Sequence, residues 1–101
     1  MEITMTELSI FATIRPKPQH RADALAAIQG ILDATRAEPG CHRFELNVDA
    51  GDDDALYLVE HWADDAALDA HYAHDYVQEV FAAYENWLAE PVQIVRMRRA
   101  A

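Results

Sequence analysis

The chain has 101 residues, of which 51% are hydrophobic, 18 are acidic and eight are basic, giving a formal net charge of −10. This length and hydrophobic content fit a single domain spanning residues 1–101 with its core at about 7–98, and they exclude intrinsic disorder and a second independent core. The negative charge repels phosphate backbones and anionic lipid headgroups, so no nucleic acid or membrane partner is expected.

The cellular location is predicted from three further features. The single cysteine, Cys41, cannot form an internal disulfide, and the amino-terminal segment lacks the basic start and apolar run of a secretory signal. No apolar stretch approaches the roughly 18 to 20 residues that are needed to cross a bilayer. We therefore expect a cytoplasmic protein.

The first third of the chain predicts a strand followed by a helix. Apolar residues alternate over 8–14, as in a strand with one buried face. Pro16 and Pro18 cannot donate ladder hydrogen bonds and end this pairing. Apolar residues at spacings of three and four then predict a helix over about 20–37, in which Gly30 is the weak position.

The middle of the chain predicts a β-hairpin. The Glu38-Pro39-Gly40 sequence ends the helix, because proline disfavours helical geometry in the residue before it. Residues 41–49 and 55–62 alternate as strands around the polar turn at 50–54. In the second strand both alternating sets contain large apolar residues, which indicates that both faces of the sheet are covered.

The last third predicts two helices and a final strand. Asp64 or Asp65 can cap a short helix, because a carboxylate accepts hydrogen bonds from the free first-turn amides. A longer amphipathic helix follows Asp75 and ends before Pro91, and residues 92–98 form the last strand. This order predicts an α+β, ferredoxin-like split βαβ fold, with the helices on one face of a four-stranded antiparallel sheet.

Three runs of residues together resemble the antibiotic biosynthesis monooxygenase family of quinol-monooxygenase-like proteins. They are TRAEPGC at 35–41, LVEHWAD at 58–64 and AALDAH at 66–71. The resemblance implies a homodimer through the sheet face, forming a dimeric α/β barrel with a pocket between sheet and helices in each subunit. It also implies oxygenation of a small phenolic, quinol or polyketide-like aromatic, with dioxygen as co-substrate and no metal, flavin or haem cofactor.

Such a reaction needs a base, a partner for the resulting anion and a dry pocket. His71 is expected to project toward the sheet, and its ordinary pKa suits proton abstraction; the alternative is a buried histidine bonded to a carbonyl. Glu60 is expected to orient His71 or to take a proton itself, unless it forms an ion pair with Arg43 or Arg96. Trp62 is expected either to stack on an aromatic substrate or to pack in the core.

Four further aromatic residues are candidates for the pocket wall, although aromatic residues at helical spacing more often signify packing. They are Phe44, Tyr72, Phe81 and Tyr84.

Other chemistries are less well supported. His71, His74, Asp69 and Asp75 are close enough in sequence to form a metal site, but they match no established ligand motif. Cys41 has no evident neighbouring base and is expected to be a packed residue rather than a nucleophile. Two alternatives to the oxygenase stay open: an isomerase or tautomerase acting on an enolisable carbonyl, and a non-catalytic module that binds a small aromatic.

Overall fold

The computed structural model describes residues 6–101. Over this range the chain forms four strands and four α-helices, with a 3-10 turn at Pro18–His20 between the first strand and the first helix. In chain order the elements are β1 (Leu8–Ile14), α1 (Arg21–Gln29), α2 (Leu32–Arg36), β2 (Cys41–Val48), β3 (Leu56–Trp62), α3 (Asp65–Ala73), α4 (Asp75–Trp87) and β4 (Gln93–Met97).

The four strands form one antiparallel sheet in the order β2-β3-β1-β4. Strand β1 pairs with both β3 and β4, while β2 and β3 form the predicted hairpin. Within this register Glu60 of β3 lies between Ile10 of β1 and Phe44 of β2. The predicted ferredoxin-like α+β fold is confirmed, and it places an ionisable residue in the interior of the sheet.

One face of the sheet is buried beneath the helices. The alternate β1 residues that begin with Leu8 are at most 4% exposed, and they form one core cluster with Ile28 of α1, Leu68 of α3 and Val80 of α4. The other face carries large apolar side chains that no part of residues 6–101 covers, and Phe11 is 38% exposed. The helix-covered face therefore contains the hydrophobic core.

The predicted helix over 20–37 is interrupted. Helix α1 ends at Gln29 and α2 begins at Leu32, with Gly30 and Ile31 between them. Glycine is disfavoured in a helix because it has the most backbone freedom to lose, so the chain breaks at the position where helical propensity is lowest.

The predicted cap of α3 is confirmed at Asp64. Its Oδ1 atom accepts a hydrogen bond from the backbone N–H of Ala67 at 2.8 Å. Helix α3 buries Leu68 and His71, which are three residues apart and therefore share a face. The cap thus fixes the start of the short helix that carries His71.

Gly40 forms the tight connection between α2 and β2. Its φ angle is +83°, and a Cβ atom at this position would lie 2.7 Å from the Cβ of Ala67. Its carbonyl accepts a hydrogen bond from the N–H of Ala63 at 2.8 Å. The turn is therefore packed directly against the start of α3, and only glycine fits there without displacement.

Gly40→Ala is expected to destabilise the protein by about 2 kcal/mol or more, because it combines an unfavourable positive φ with a steric overlap. Gly30→Ala is the matched control: Gly30 has φ −66°, and its added Cβ would meet only ordinary contacts at 3.4 Å. Urea unfolding measures both variants. A Gly40→Ala protein as stable as the Gly30→Ala protein would contradict this account of the turn.

Candidate functional site

A small apolar pocket lies between the helix-covered face of the sheet and helices α1, α3 and α4. Its wall is mainly aliphatic and aromatic, and the ionisable groups on it are Glu60, His71, Tyr72 and Tyr84. The cavity has a volume of about 40 Å³. Because a cavity that binds benzene has a volume of about 150 Å³, an aromatic ring enters this one only if wall side chains move.

A wider groove of about 470 Å³ lies on the outer side of the pocket. Phe81, Tyr84 and Val92 line both the groove and the pocket. Phe81 is 36% exposed, and its ring packs against those of Tyr72 and Tyr84, with centroids 5.7 Å and 6.0 Å apart. These three side chains therefore lie between the inner cavity and the groove.

Glu60 is a buried carboxyl group on the pocket wall. Its Oε1 atom accepts a hydrogen bond from the indole N–H of Trp62 at 2.9 Å. Burial raises the pKa of Glu60 to about 7, because an apolar environment disfavours the charged form; the Trp62 bond partly opposes this effect. Near neutral pH this group can therefore either donate or accept a proton.

The alternative ion pairs of Glu60 do not form. Arg43 pairs with Glu45 at 2.7 Å, and Arg96 lies 3.6 Å from Asp65. The carboxyl group of Glu60 thus stays available to the pocket.

His71 stands on the same pocket wall, held between a carboxylate and two aromatic rings. Its Nδ1 atom lies 2.8 Å from Oε2 of Glu38, and its ring centroid lies 4.7 Å from that of Trp62 and 5.6 Å from that of Phe44. Burial lowers the pKa of His71, and the nearby Glu38 opposes that shift. The imidazole is therefore mainly neutral at pH 7, which is the form that accepts a proton.

Glu38 is the site residue that the sequence interpretation missed. It lies in the turn after α2, 33 residues before His71, and it accepts hydrogen bonds from His71 and from the phenol of Tyr76. The expectation that Glu60 orients His71 is corrected here, because Glu38 makes that contact and Glu60 bonds to Trp62 instead. The sequence feature that could have pointed to Glu38 was its place in the run TRAEPGC, one of the three runs that carry the family resemblance.

The predicted aromatic residues fall into two groups. Phe44, Tyr72, Phe81 and Tyr84 lie on the pocket wall, as expected. Trp62 does not: its side chain is fully buried behind the wall, where it contacts both Glu60 and His71. The expected direct stacking of Trp62 on a substrate is thus replaced by a supporting position, because its indole ring lies beneath the imidazole.

The remaining candidates do not form sites of their own. Within residues 6–101 no three His, Cys, Asp or Glu side chains converge as a group that could hold a metal ion. Burial is the main cause that raises the pKa of the Cys41 thiol, which disfavours the nucleophilic thiolate. None of the helices in this range is long and apolar enough to span a bilayer.

The site thus places a buried carboxyl group and an imidazole on the wall of one apolar pocket in an α+β fold. The family model described as antibiotic biosynthesis monooxygenase matches residues 8–83, and the chain belongs to this family. The resemblance carried by the three sequence runs is thereby confirmed.

Individual relatives are consistent with this assignment. A Bacillus subtilis protein named "Putative monooxygenase YcnE" is 29% identical over 84% of this chain and 90% of its own length. The crystal structure of PA3566 from Pseudomonas aeruginosa has a TM-score of 0.89 at 30% identity, covering 99% of this chain and all of that one. The structure of Rv0793 from Mycobacterium tuberculosis also has a TM-score of 0.89, at 26% identity over 95% of this chain and 97% of that one.

A further relative is longer. The Synechocystis protein sll1783, named as uncharacterized, is 29% identical over 84% of this chain, but the matched region spans only 58% of the length of that protein.

Glu60→Gln is expected to remove a pH-dependent cost of burial. Between pH 4.5, the ordinary pKa, and about 7, folded Glu60 retains a proton that the unfolded chain has released, so wild-type stability falls as the pH rises. Glutamine retains an oxygen for the Trp62 N–H but cannot ionise. Relative to wild type, the variant therefore gains up to about 3 kcal/mol between pH 4.5 and pH 8.

Urea unfolding at pH 4.5 and pH 8 measures this difference. Glu45→Gln is the control, because the Glu45 side chain is 45% exposed and Arg43 lowers rather than raises the pKa of its carboxyl group. Equal stability differences at the two pH values for Glu60→Gln would contradict the raised pKa.

Proposed function

We propose that this protein is a cofactor-independent monooxygenase that oxidises a small phenolic, quinol or polyketide-like aromatic with dioxygen. The observation that carries the proposal is the placement of the His71 imidazole and the Glu60 carboxyl group on the wall of one apolar pocket. The family assignment and relatives named as monooxygenases support it.

The chemistry requires a base because dioxygen is a triplet that reacts slowly with closed-shell molecules. His71 removes a proton from the substrate hydroxyl, and the resulting electron-rich anion transfers electrons to dioxygen. One oxygen atom then forms a bond to substrate carbon, and the other leaves as water with two hydrogens from the substrate. The substrate supplies all four electrons, so hydroquinone plus dioxygen gives hydroxyquinone plus water.

Glu60 has a complementary role in this proposal. In its protonated form the carboxyl group donates a hydrogen bond to the substrate anion or to the reduced oxygen. The apolar wall strengthens this interaction because water does not compete for the anion. His71 and Glu60 are thus the proposed catalytic residues, with Phe44, Tyr72, Phe81 and Tyr84 as substrate contacts.

Substrate entry requires the pocket to widen, since 40 Å³ does not accommodate an aromatic ring. The proposed entrance is the groove beside Phe81, a residue that lines both the groove and the inner cavity. A ligand that displaces Phe81 outward takes over the apolar contacts that the Phe81 ring makes with Tyr72 and Tyr84.

His71→Asn is expected to lower oxygen uptake with hydroquinones by about 100-fold or more, the scale of a lost general base. The Asn amide retains a donor near the position of Nδ1 but has no equivalent of Nε2. His42→Asn is the matched control, because His42 is exposed and hydrogen-bonds to Glu7 at 3.3 Å, away from the pocket.

An oxygen electrode and a panel of hydroquinones measure the rates, and labelled dioxygen followed by mass spectrometry reports one inserted oxygen atom. Product formation at an equal rate under argon would exclude the oxygenase and leave proton transfer alone, as in a tautomerase. Wild-type activity in His71→Asn would exclude the assigned base.

The uncovered face of the sheet supports a homodimer as the second part of the proposal. Phe11 stacks on Tyr57 there at 5.7 Å, and Val95 of β4 lies beside Phe11 in the register. A second copy of the chain, placed face to face, buries these apolar groups in both subunits and supplies the barrel geometry that the family resemblance implies.

Val95→Glu is expected to convert the proposed dimer to monomers, because it places a carboxylate within the apolar contact. Val48→Glu is the matched control: both valines are 51% exposed on edge strands, but Val48 lies outside the face that carries Phe11. Light scattering coupled to size exclusion gives the masses. A dimeric Val95→Glu protein, or a monomeric wild type, would contradict this arrangement.

A further inference from the structure

Glu38 is nearly as buried as the histidine it contacts. Its side chain is 5% exposed and that of His71 is 4% exposed. A carboxylate in such a place is costly unless polar groups compensate for the lost water. Its position therefore depends on the groups that surround it.

Three groups surround the carboxylate, and they divide between its two oxygens. The Oε2 atom accepts from both His71 Nδ1 and the Tyr76 hydroxyl, while Oε1 lies 3.6 Å from Nε2 of His74. The rings of His74 and Tyr76 stack with centroids 5.0 Å apart. The three side chains come from α3, from the residue after it and from α4, so the turn that carries Glu38 is tied to both helices.

The hydrogen bond to Glu38 defines the state of the His71 ring. A carboxylate only accepts hydrogen bonds, so neutral His71 must carry its proton on Nδ1, which leaves the lone pair on Nε2. Among the described residues Nε2 has no hydrogen-bond partner, and His71 is one of the residues that line the pocket.

We infer that Glu38 is the positioning residue of the site: it holds His71 in the tautomer that presents Nε2 to the pocket, and its negative charge stabilises the imidazolium formed when His71 takes a proton. The claim about the tautomer concerns the protein alone, whereas the claim about the imidazolium rests on the proposed function. The other ionisable groups that face His71 are His74 at the end of α3, Tyr72 on α3 and Glu60 on β3.

The geometry allows charge and orientation to be tested separately. In Glu38→Gln the amide oxygen can occupy the place of Oε2 and accept from His71 and Tyr76, while the amide N–H group faces Nε2 of His74. Glu38→Gln therefore keeps the hydrogen bond that fixes the His71 tautomer but removes the negative charge. Glu38→Leu removes both the hydrogen bond and the charge. Glu45→Gln is the matched control, because it removes the same charge from a half-exposed position on strand β2, where Glu45 pairs with Arg43.

Nitrogen-15 NMR of labelled protein, without any substrate, measures the tautomer and the pKa of His71. We expect the Nδ1–H form in wild type, in Glu38→Gln and in the control, and a mixture of tautomers in Glu38→Leu. The pKa of His71 falls further in Glu38→Gln and does not change in Glu45→Gln. An Nε2–H tautomer in wild type, or an unchanged pKa in Glu38→Gln, would overturn the inference whatever the activity of the protein.

Oxygen uptake with hydroquinones tests the catalytic part. Glu38→Gln is expected to lower kcat about 10-fold to 100-fold with KM within about twofold, because the charge acts on the protonated base rather than on substrate binding. A loss confined to KM would overturn the positioning role. If wild type shows no uptake, the proposed function fails, and the NMR result still decides the placement of His71 by Glu38.

Discussion

The burial of one carboxyl group inside an antiparallel sheet governs the architecture of the site. Glu60 lies between Ile10 and Phe44 in the register, where an alternating strand normally places an apolar residue. Such a group is tolerated because the Trp62 indole N–H compensates one oxygen and because its raised pKa allows it to remain protonated. The indole ring that satisfies Glu60 also supports the His71 imidazole, so a single fully buried side chain connects the two proposed catalytic groups.

The second proposed catalytic group depends on a longer chain of contacts. Asp64 fixes the start of α3, and Gly40 allows the preceding turn to pack against that helix at a distance that no other residue permits. The same turn carries Glu38, which meets His71 near the end of the helix. The position of the His71 imidazole on the pocket wall thus depends on the backbone conformation of Gly40.

The sequence predicts the fold well because the relevant patterns are local. Alternation over 8–14 and 55–62 identifies the strands and places Glu60 and Trp62 on the helix-covered face, where the structure has them. Periodicity also predicts the helix over 20–37, but it does not decide whether the chain continues through Gly30, since that depends on the competition between propensity and packing at a single residue.

The contacts within the site are less accessible to sequence reasoning, because they join distant parts of the chain. Alternation places Glu60 and Trp62 on one face but does not reveal that they bond to each other. Glu38 and His71 are 33 residues apart, and their contact depends on how a turn packs against a helix. A carboxylate beside a Pro-Gly turn is usually solvated, so the sequence interpretation assigned the orienting role to Glu60, the acidic residue already expected to face the helices.

The composition of the pocket wall has a consequence for selectivity among small molecules. Of the residues 6–101 that line it, none is a lysine or an arginine, and its acidic member is a carboxyl group beneath an otherwise apolar surface. A metabolite bearing a phosphate or a carboxylate would lose its hydration there without gaining a counter-ion, whereas an uncharged flat molecule loses little. The lining of this pocket therefore disfavours anionic ligands by the electrostatic cost of their burial, before any bond is broken.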